Sequence, residues 1–177
     1  VIVLRSLLWP NDREKLLSLD TSFITDRIYR LEQGDHTFTL REEQVAPAVS
    51  KTYRLENEID MLPSMDWVVV ADDDQLIAGF AAMSVEKWNR RANLQHLYVA
   101  PDVRGKGFGR MMIDAAIAEA GRMQARCLWV ETQTVNYGAV QFYLRMGFKL
   151  CGFDSSLYDP KDVADKEIAL FLSRDLA

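Results

Sequence analysis

A chain of 177 residues, 49% hydrophobic and 27% charged, has the size and composition of one globular domain that buries a core without metals or disulfides. Its net charge of −5 and pI near 5.1 count against a nucleic-acid binder and suit a cationic small partner. No apolar run approaches the ~18–20 residues of a membrane span, so no membrane partner is expected.

The opening VIVLRSL reads as a strand. It lacks the basic leader and small-residue cleavage site of a signal peptide, and a cytoplasmic protein is expected. Asn11 or Asp12 then caps a helix carrying Leu16, Leu17 and Leu19. A second helical stretch is expected around Phe23, Ile24, Ile28 and Leu31, stopped by Gly34-Asp35. The segment from His36 to Pro63 carries no clear period. WVVVADDDQLIAGFAAMSV is two apolar runs around Asp72-Asp73-Asp74, a hairpin with a solvated turn; no further ligands follow at loop spacing, so no metal site is expected.

NLQHLYV is a strand ending before Pro101, and Arg110 to Gln124 is a helix with Ile113, Ala116, Ile117 and Ala120 on one face. CLWVET is a further strand. Asn136 caps a helix through Met146, which Gly147-Phe148 stops. FKLCGF and EIALFLS close the chain as strands, so the C-terminal half reads β-loop-α-β-α-β-β, with one parallel crossover. Cys127 and Cys151 each lie in an apolar strand and are expected as buried free thiols.

Chemistry concentrates between the strand ending at Val99 and the helix after it. Arg104 to Arg110 reads RGKGFGR, three glycines and three cations. A nucleoside-triphosphate loop needs Gly-Lys-Ser/Thr, which is missing. A dinucleotide loop fits Gly105 and Gly107 but places Arg110 where a third glycine allows close helix–strand packing. A pyrophosphate facing backbone N–H groups and a helix N-terminus remains, and coenzyme A, with a further 3′-phosphate, suits three cations.

Arg104-Gly105-Lys106-Gly107-Phe108-Gly109 resembles the Gln/Arg-x-x-Gly-x-Gly/Ala signature of the GNAT superfamily of acetyl-CoA-dependent N-acetyltransferases. NYGAVQFYLRMGF is similar to that family's second segment at Asn136, Ala139, Tyr143, Gly147 and Phe148. Trp88-Asn89, VETQT, Gly152-Phe153-Asp154, Tyr158 and KEIALF narrow the resemblance to the streptothricin acetyltransferases; it is strongest over 88–171 and thin before that.

The resemblance implies a single α+β domain over 1–177: a mixed, mostly antiparallel sheet with a central splayed parallel strand pair, flanked by helices. It implies acetyl transfer from acetyl-CoA to a primary amine by direct attack in a ternary complex, with a streptothricin-type antibiotic as the acceptor. Another amine, whether a polyamine, an amino-acid derivative or a protein lysine, is the nearest alternative. A non-catalytic acyl-CoA-binding module and a nicotinamide oxidoreductase are the more distant ones. Leu97, Tyr98 and Val99 would lie beside the thioester, Arg104, Gly105, Lys106, Gly107, Phe108, Gly109 and Arg110 around the pyrophosphate, and Asn136 against the cofactor arm. Tyr143 would be the general acid for the departing thiolate. Relatives carry an acid at the position of Gln95, which cannot serve as a base; His96, Glu131 and Asp154 are the substitutes, and Glu131 is preferred for amine binding or proton relay. Trp88, Asp154 and Tyr158 would complete the acceptor pocket. Many relatives dimerise, so a homodimer is compatible with the resemblance, although no interface is legible.

Overall fold

The computed structural model describes residues 2–73, 76–164 and 166–176. By its contacts the chain divides into two compact units: residues 1–22, 52–130 and 174–177 form the first, and 23–51 with 131–173 the second.

In the first unit, β1 (Val3–Ser6), β4 (Trp67–Asp72), β5 (Ile77–Glu86) and β6 (Arg91–Val99) lie side by side as antiparallel neighbours. The first four residues of β7 (Cys127–Gln133) then pair in parallel with β6, from Arg91↔Cys127 to Leu94↔Val130. The helix α2 (Phe108–Arg122) makes the crossover between these parallel strands. Its apolar residues recur at helical spacing, and Met112, Ile113, Ala116 and Ala120 are fully buried. A separate core gathers Leu16 from the short helix α1 (Arg13–Leu17), Leu55, and Ile59 and Leu62 from a 3-10 helix at Ile59–Ser64, together with Val70 and Phe80. No described helix is long and apolar enough to cross a membrane.

Asp12 flanks α1 as expected, but its carboxylate is spent elsewhere. It accepts two bonds from Arg5 and one from the Leu8 N–H. Asp72 also accepts from Arg5. Asp72 is therefore a buried partner of an arginine, whereas a solvated turn residue was expected. The turn proper is built by Asp73, whose carboxylate accepts the Leu76 N–H at 2.8 Å; Asp74 lies outside the described residues.

The second unit overturns one expected helix. Residues Phe23–Gln33 form the strand β2, paired antiparallel with β3 (Phe38–Lys51) around the Gly34 turn. The spacing of Phe23, Ile24, Ile28 and Leu31 fits a helix, but Ile24 is largely exposed while the adjacent Ile28 and Tyr29 are both buried. A β-rich stretch given a 14-residue partner satisfies its backbone between strands, and the partner comes from the segment that showed no period. The Tyr29 N–H donates to the Thr134 carbonyl, and its hydroxyl accepts from the Gln141 amide at 2.7 Å.

The helix α3 (Tyr137–Arg145) is capped by Asn136, whose side chain accepts the Ala139 N–H. Tyr29, Val140 and Leu170 form the core of this unit. β8 (Lys149–Asp154) and β9 (Ala169–Asp175) pair antiparallel, as the last two expected strands. Cys127 is buried but Cys151 is exposed, on a strand whose first three residues are all exposed. Apolar neighbours in sequence do not decide which face of a strand is covered.

Candidate active site

The first unit builds an anion cradle at the end of β6. Pairing with β5 shifts register between Ala82↔His96 and Met83↔Leu94, so Gln95 is an extra residue on β6. Gln95 is exposed, while Leu94 and His96 on either side are buried. Leu97, Tyr98 and Val99 continue the pairing with Ala81, Phe80 and Gly79 and lie beyond the parallel register with β7.

After Val99 the chain turns through a short 3-10 helix at Pro101–Val103. The Arg104 guanidinium reaches back and donates through Nε to the Val99 carbonyl at 2.9 Å. That bond ties the loop to the strand end, a positioning role that the sequence did not suggest beside the expected phosphate contact. Gly105 and Gly107 follow with φ of +77° and +93°, the left-handed region that side chains rarely adopt. A Cβ on either would meet no protein atom within 4 Å, so the loop faces open space. Gly107 is also the N-terminal flank of α2, whose first N–H groups have no acceptor within the helix. Lys106 and Arg110 are exposed, and neither pairs with a carboxylate among the described residues. Unspent donors, a positive helix end and free cations at an open loop fit a pyrophosphate.

Trp88 stands on the turn between β5 and β6 and is 84% exposed.

In the second unit, Tyr143 lies on the covered face of α3 and is 7% exposed, its ring 5.5 Å from that of Phe142 and 5.4 Å from that of Phe148. The Phe148 N–H donates to the Tyr143 carbonyl, which closes the helix. Asn136, expected against a cofactor arm, uses its side-chain oxygen as the cap and keeps its NH2 group chemically distinct from that contact.

Glu131 and Tyr158, far apart in sequence, come together. The Tyr158 hydroxyl donates to Glu131 Oε1 at 2.7 Å and accepts from the Gln133 amide at 3.3 Å. Burial first, then the Glu131 carboxylate, pushes the Tyr158 phenol well above its ordinary value, so it stays a donor at any working pH. Asp154, expected in the same pocket, is occupied locally. It accepts the Ser156 N–H at 2.7 Å and the Ser156 hydroxyl at 2.8 Å, and these bonds hold its pKa below the usual carboxylate value. Among the described residues no three metal-ligating side chains cluster.

The sequence pattern of the Acetyltransferase (GNAT) family matches residues 25–148. The chain belongs to that family. It is an acetyl-CoA-dependent N-acetyltransferase with the mixed-sheet α+β fold of the family. The acetyltransferase is 36% identical over 172 residues to a streptothricin acetyltransferase of Streptomyces lavendulae, covering 93% of this chain and 90% of that one. The structure of a nourseothricin acetyltransferase superposes with a TM-score of 0.88 at 38% identity, covering 99% of both chains. A Bacillus anthracis protein solved as a putative streptothricin acetyltransferase in complex with acetyl coenzyme A superposes at 0.83, with 25% identity and 99% coverage of both. The cradle described above offers the N–H donors and positive charge that a pyrophosphate such as that of acetyl-CoA requires.

Proposed function

We propose that this acetyltransferase moves the acetyl group of acetyl-CoA onto a primary amine of a streptothricin-type antibiotic, by direct attack of the amine in a ternary complex. The observation that carries the acceptor assignment is the 36% identity to the Streptomyces lavendulae enzyme across nearly the whole of both chains, N-terminal segments included. Acceptor specificity in such a domain depends on those segments, and a likeness confined to the glycine loop would leave the acceptor open. The working unit is taken as one acetyltransferase domain over 1–177, cytoplasmic and able to form a homodimer.

Three tasks fall to the residues. Arg104 to Arg110 hold the phosphates, Asn136 meets the cofactor arm, and the backbone of Leu97, Tyr98 and Val99 lies beside the thioester, which supplies the activated acetyl group. Tyr143 donates toward the departing sulfur. A phenol near pKa 10 stands only ~2 kcal/mol short of fully protonating a thiolate near 8.5, so a hydrogen bond that strengthens as charge develops suffices. The amine is the harder partner: near pKa 10.4, freeing its lone pair at pH 7 costs roughly 4–5 kcal/mol. Glu131 accepts charge or a proton from it, fixed in place by the Tyr158 hydroxyl, while Asp154 and Trp88 border the acceptor.

Release of free thiol from acetyl-CoA, measured across streptothricin, spermidine, lysine amide and a lysine peptide, tests this directly. Streptothricin is expected to give the highest kcat/KM, and Tyr143→Phe to lower kcat by ten- to a thousandfold with little change in acetyl-CoA affinity. Wild-type turnover in Tyr143→Phe removes its role as acid. A clear preference for another amine replaces the acceptor.

A further inference from the structure

Glu58 sits at the N-terminal flank of the 3-10 helix Ile59–Ser64, in the segment where the sequence offered no reading. Its Oε2 lies 3.4 Å from Nδ1 of His96, the residue that follows the extra Gln95 on β6. The His96 side chain is 8% exposed, flanked by the rings of Phe80 and Tyr98 at 5.7 and 6.1 Å, and its Nδ1 is buried without a hydrogen-bond partner. The Glu58 side chain is 52% exposed. No lysine or arginine among the described residues pairs with it, although the neighbouring Asp60 binds Arg13.

A buried imidazole nitrogen left without a partner costs free energy and calls for an explanation. Here a carboxylate oxygen stands beside it, and the two groups do not satisfy each other. Burial lowers the His96 pKa to about 4 and raises that of Glu58, so the imidazole is neutral at pH 7 and cannot supply the missing charge. A primary ammonium supplies what both lack. Its three N–H donors radiate from one atom and reach two acceptors at once, and its charge matches the carboxylate. A hydroxyl or amide brings no charge. The next three residues along β6 are Leu97, Tyr98 and Val99, assigned above to the thioester.

We propose that Glu58 and His96 form the subsite for the acceptor's ammonium: the carboxylate takes its charge and the imidazole nitrogen accepts one of its N–H groups. This rests on the acetyltransferase reading and adds to it the residues that recognise the cationic acceptor. The carboxylate of this subsite comes from the segment between β3 and β4.

The chain has two histidines, so His36→Asn in the β2–β3 turn leaves His96 as the single imidazole in a nitrogen-15 spectrum. In the CoA-bound His36→Asn protein, streptothricin or lysine amide is expected to shift the His96 resonances, and Glu58→Gln to abolish the shift. In steady state, Glu58→Gln is expected to raise the amine KM tenfold or more, the value of about one charge-assisted hydrogen bond, at unchanged acetyl-CoA KM. Thermal melting confirms that the half-exposed substitution leaves the fold intact. A His96 resonance that stays in place while the amine is acetylated overturns the subsite and leaves the activity standing. A moving resonance without acetylation of any amine overturns the activity and keeps the subsite. A silent resonance without acetylation overturns both. An amine KM raised by Glu131→Gln but not by Glu58→Gln also overturns it.

Discussion

Gly107 and Gly121 flank and lie within the same helix, and they isolate what the loop conformation does. Apart from the adjoining chain and the helix's own backbone, neither has a protein atom within 4 Å of the position a Cβ would take, so steric conflict with the rest of the protein is equal and absent. They differ in backbone: Gly107 holds φ at +93°, and Gly121 sits in the regular helix. Alanine at Gly107 therefore pays the left-handed penalty, about 1–2 kcal/mol, and lowers Tm by roughly 2–8 °C for a chain of this size. Alanine at Gly121 removes chain entropy from the unfolded state and raises stability by about 0.5–1 kcal/mol, or roughly 1–4 °C. Binding separates them further. A methyl at Gly107 points into the open space assigned to the pyrophosphate and displaces at least one N–H donor. Losing one charge-assisted bond costs about 1.5–3 kcal/mol, a ten- to hundredfold weaker Kd for acetyl-CoA. Differential scanning fluorimetry and isothermal titration calorimetry read the two effects independently. Wild-type acetyl-CoA affinity in Gly107→Ala, with its Tm lowered as stated, refutes the cradle. An unchanged Tm refutes the backbone argument.

Arg104→Ala is expected to weaken acetyl-CoA at least tenfold, by loss of both a phosphate charge and the tether to Val99; Arg104→Lys keeps the charge and separates the two contributions. Arg5→Met leaves Asp12 and Asp72 without their shared cation and should cost about 3 kcal/mol in denaturant unfolding, whereas Arg13→Met at the solvent-screened pair with Asp60 should cost far less. A cost for Arg5→Met equal to that for Arg13→Met would deny the buried pairing. Acid sensitivity follows from His96, whose pKa falls from 6.5 to about 4 on folding. Below 6.5 the unfolded chain binds the proton that the folded one refuses, so stability falls as pH drops from 6.5 to 4. The difference in unfolding free energy between the wild type and His96→Leu should change across that window and be flat above it; a flat difference throughout removes the burial argument.

Much of the candidate site was legible because it is local. The Asn136 cap and the Gly147 stop are each set by a handful of neighbouring residues and lie where the sequence put them; α2 buries the expected Ile113, Ala116 and Ala120, with Met112 more deeply covered than Ile117. The β2 strand was misread because its apolar spacing fits a helix. Its partner strand overrode that spacing, and nothing within 23–33 encodes that partner. Cys151 and Asp72 failed for a related reason: one faces outward from an apolar strand, and the other is buried only because Arg5 meets it.

By itself, then, the sequence pointed to the donor, acetyl-CoA, and to the backbone of the loop proposed to hold it. A loop that must turn left-handed twice before a helix can be written in six consecutive residues, Arg104 to Gly109, because backbone φ is a property of single residues. The residues proposed for the acceptor were in part named from the sequence, but which of them touch waited for the tertiary structure. Glu131 meets Tyr158 across 27 residues, and Glu58 meets His96 through a 3-10 turn laid against the face of β6 opposite Gln95. Which carboxylate stands beside which polar side chain is set by strand register and by the packing of distant segments, and no local propensity carries that information.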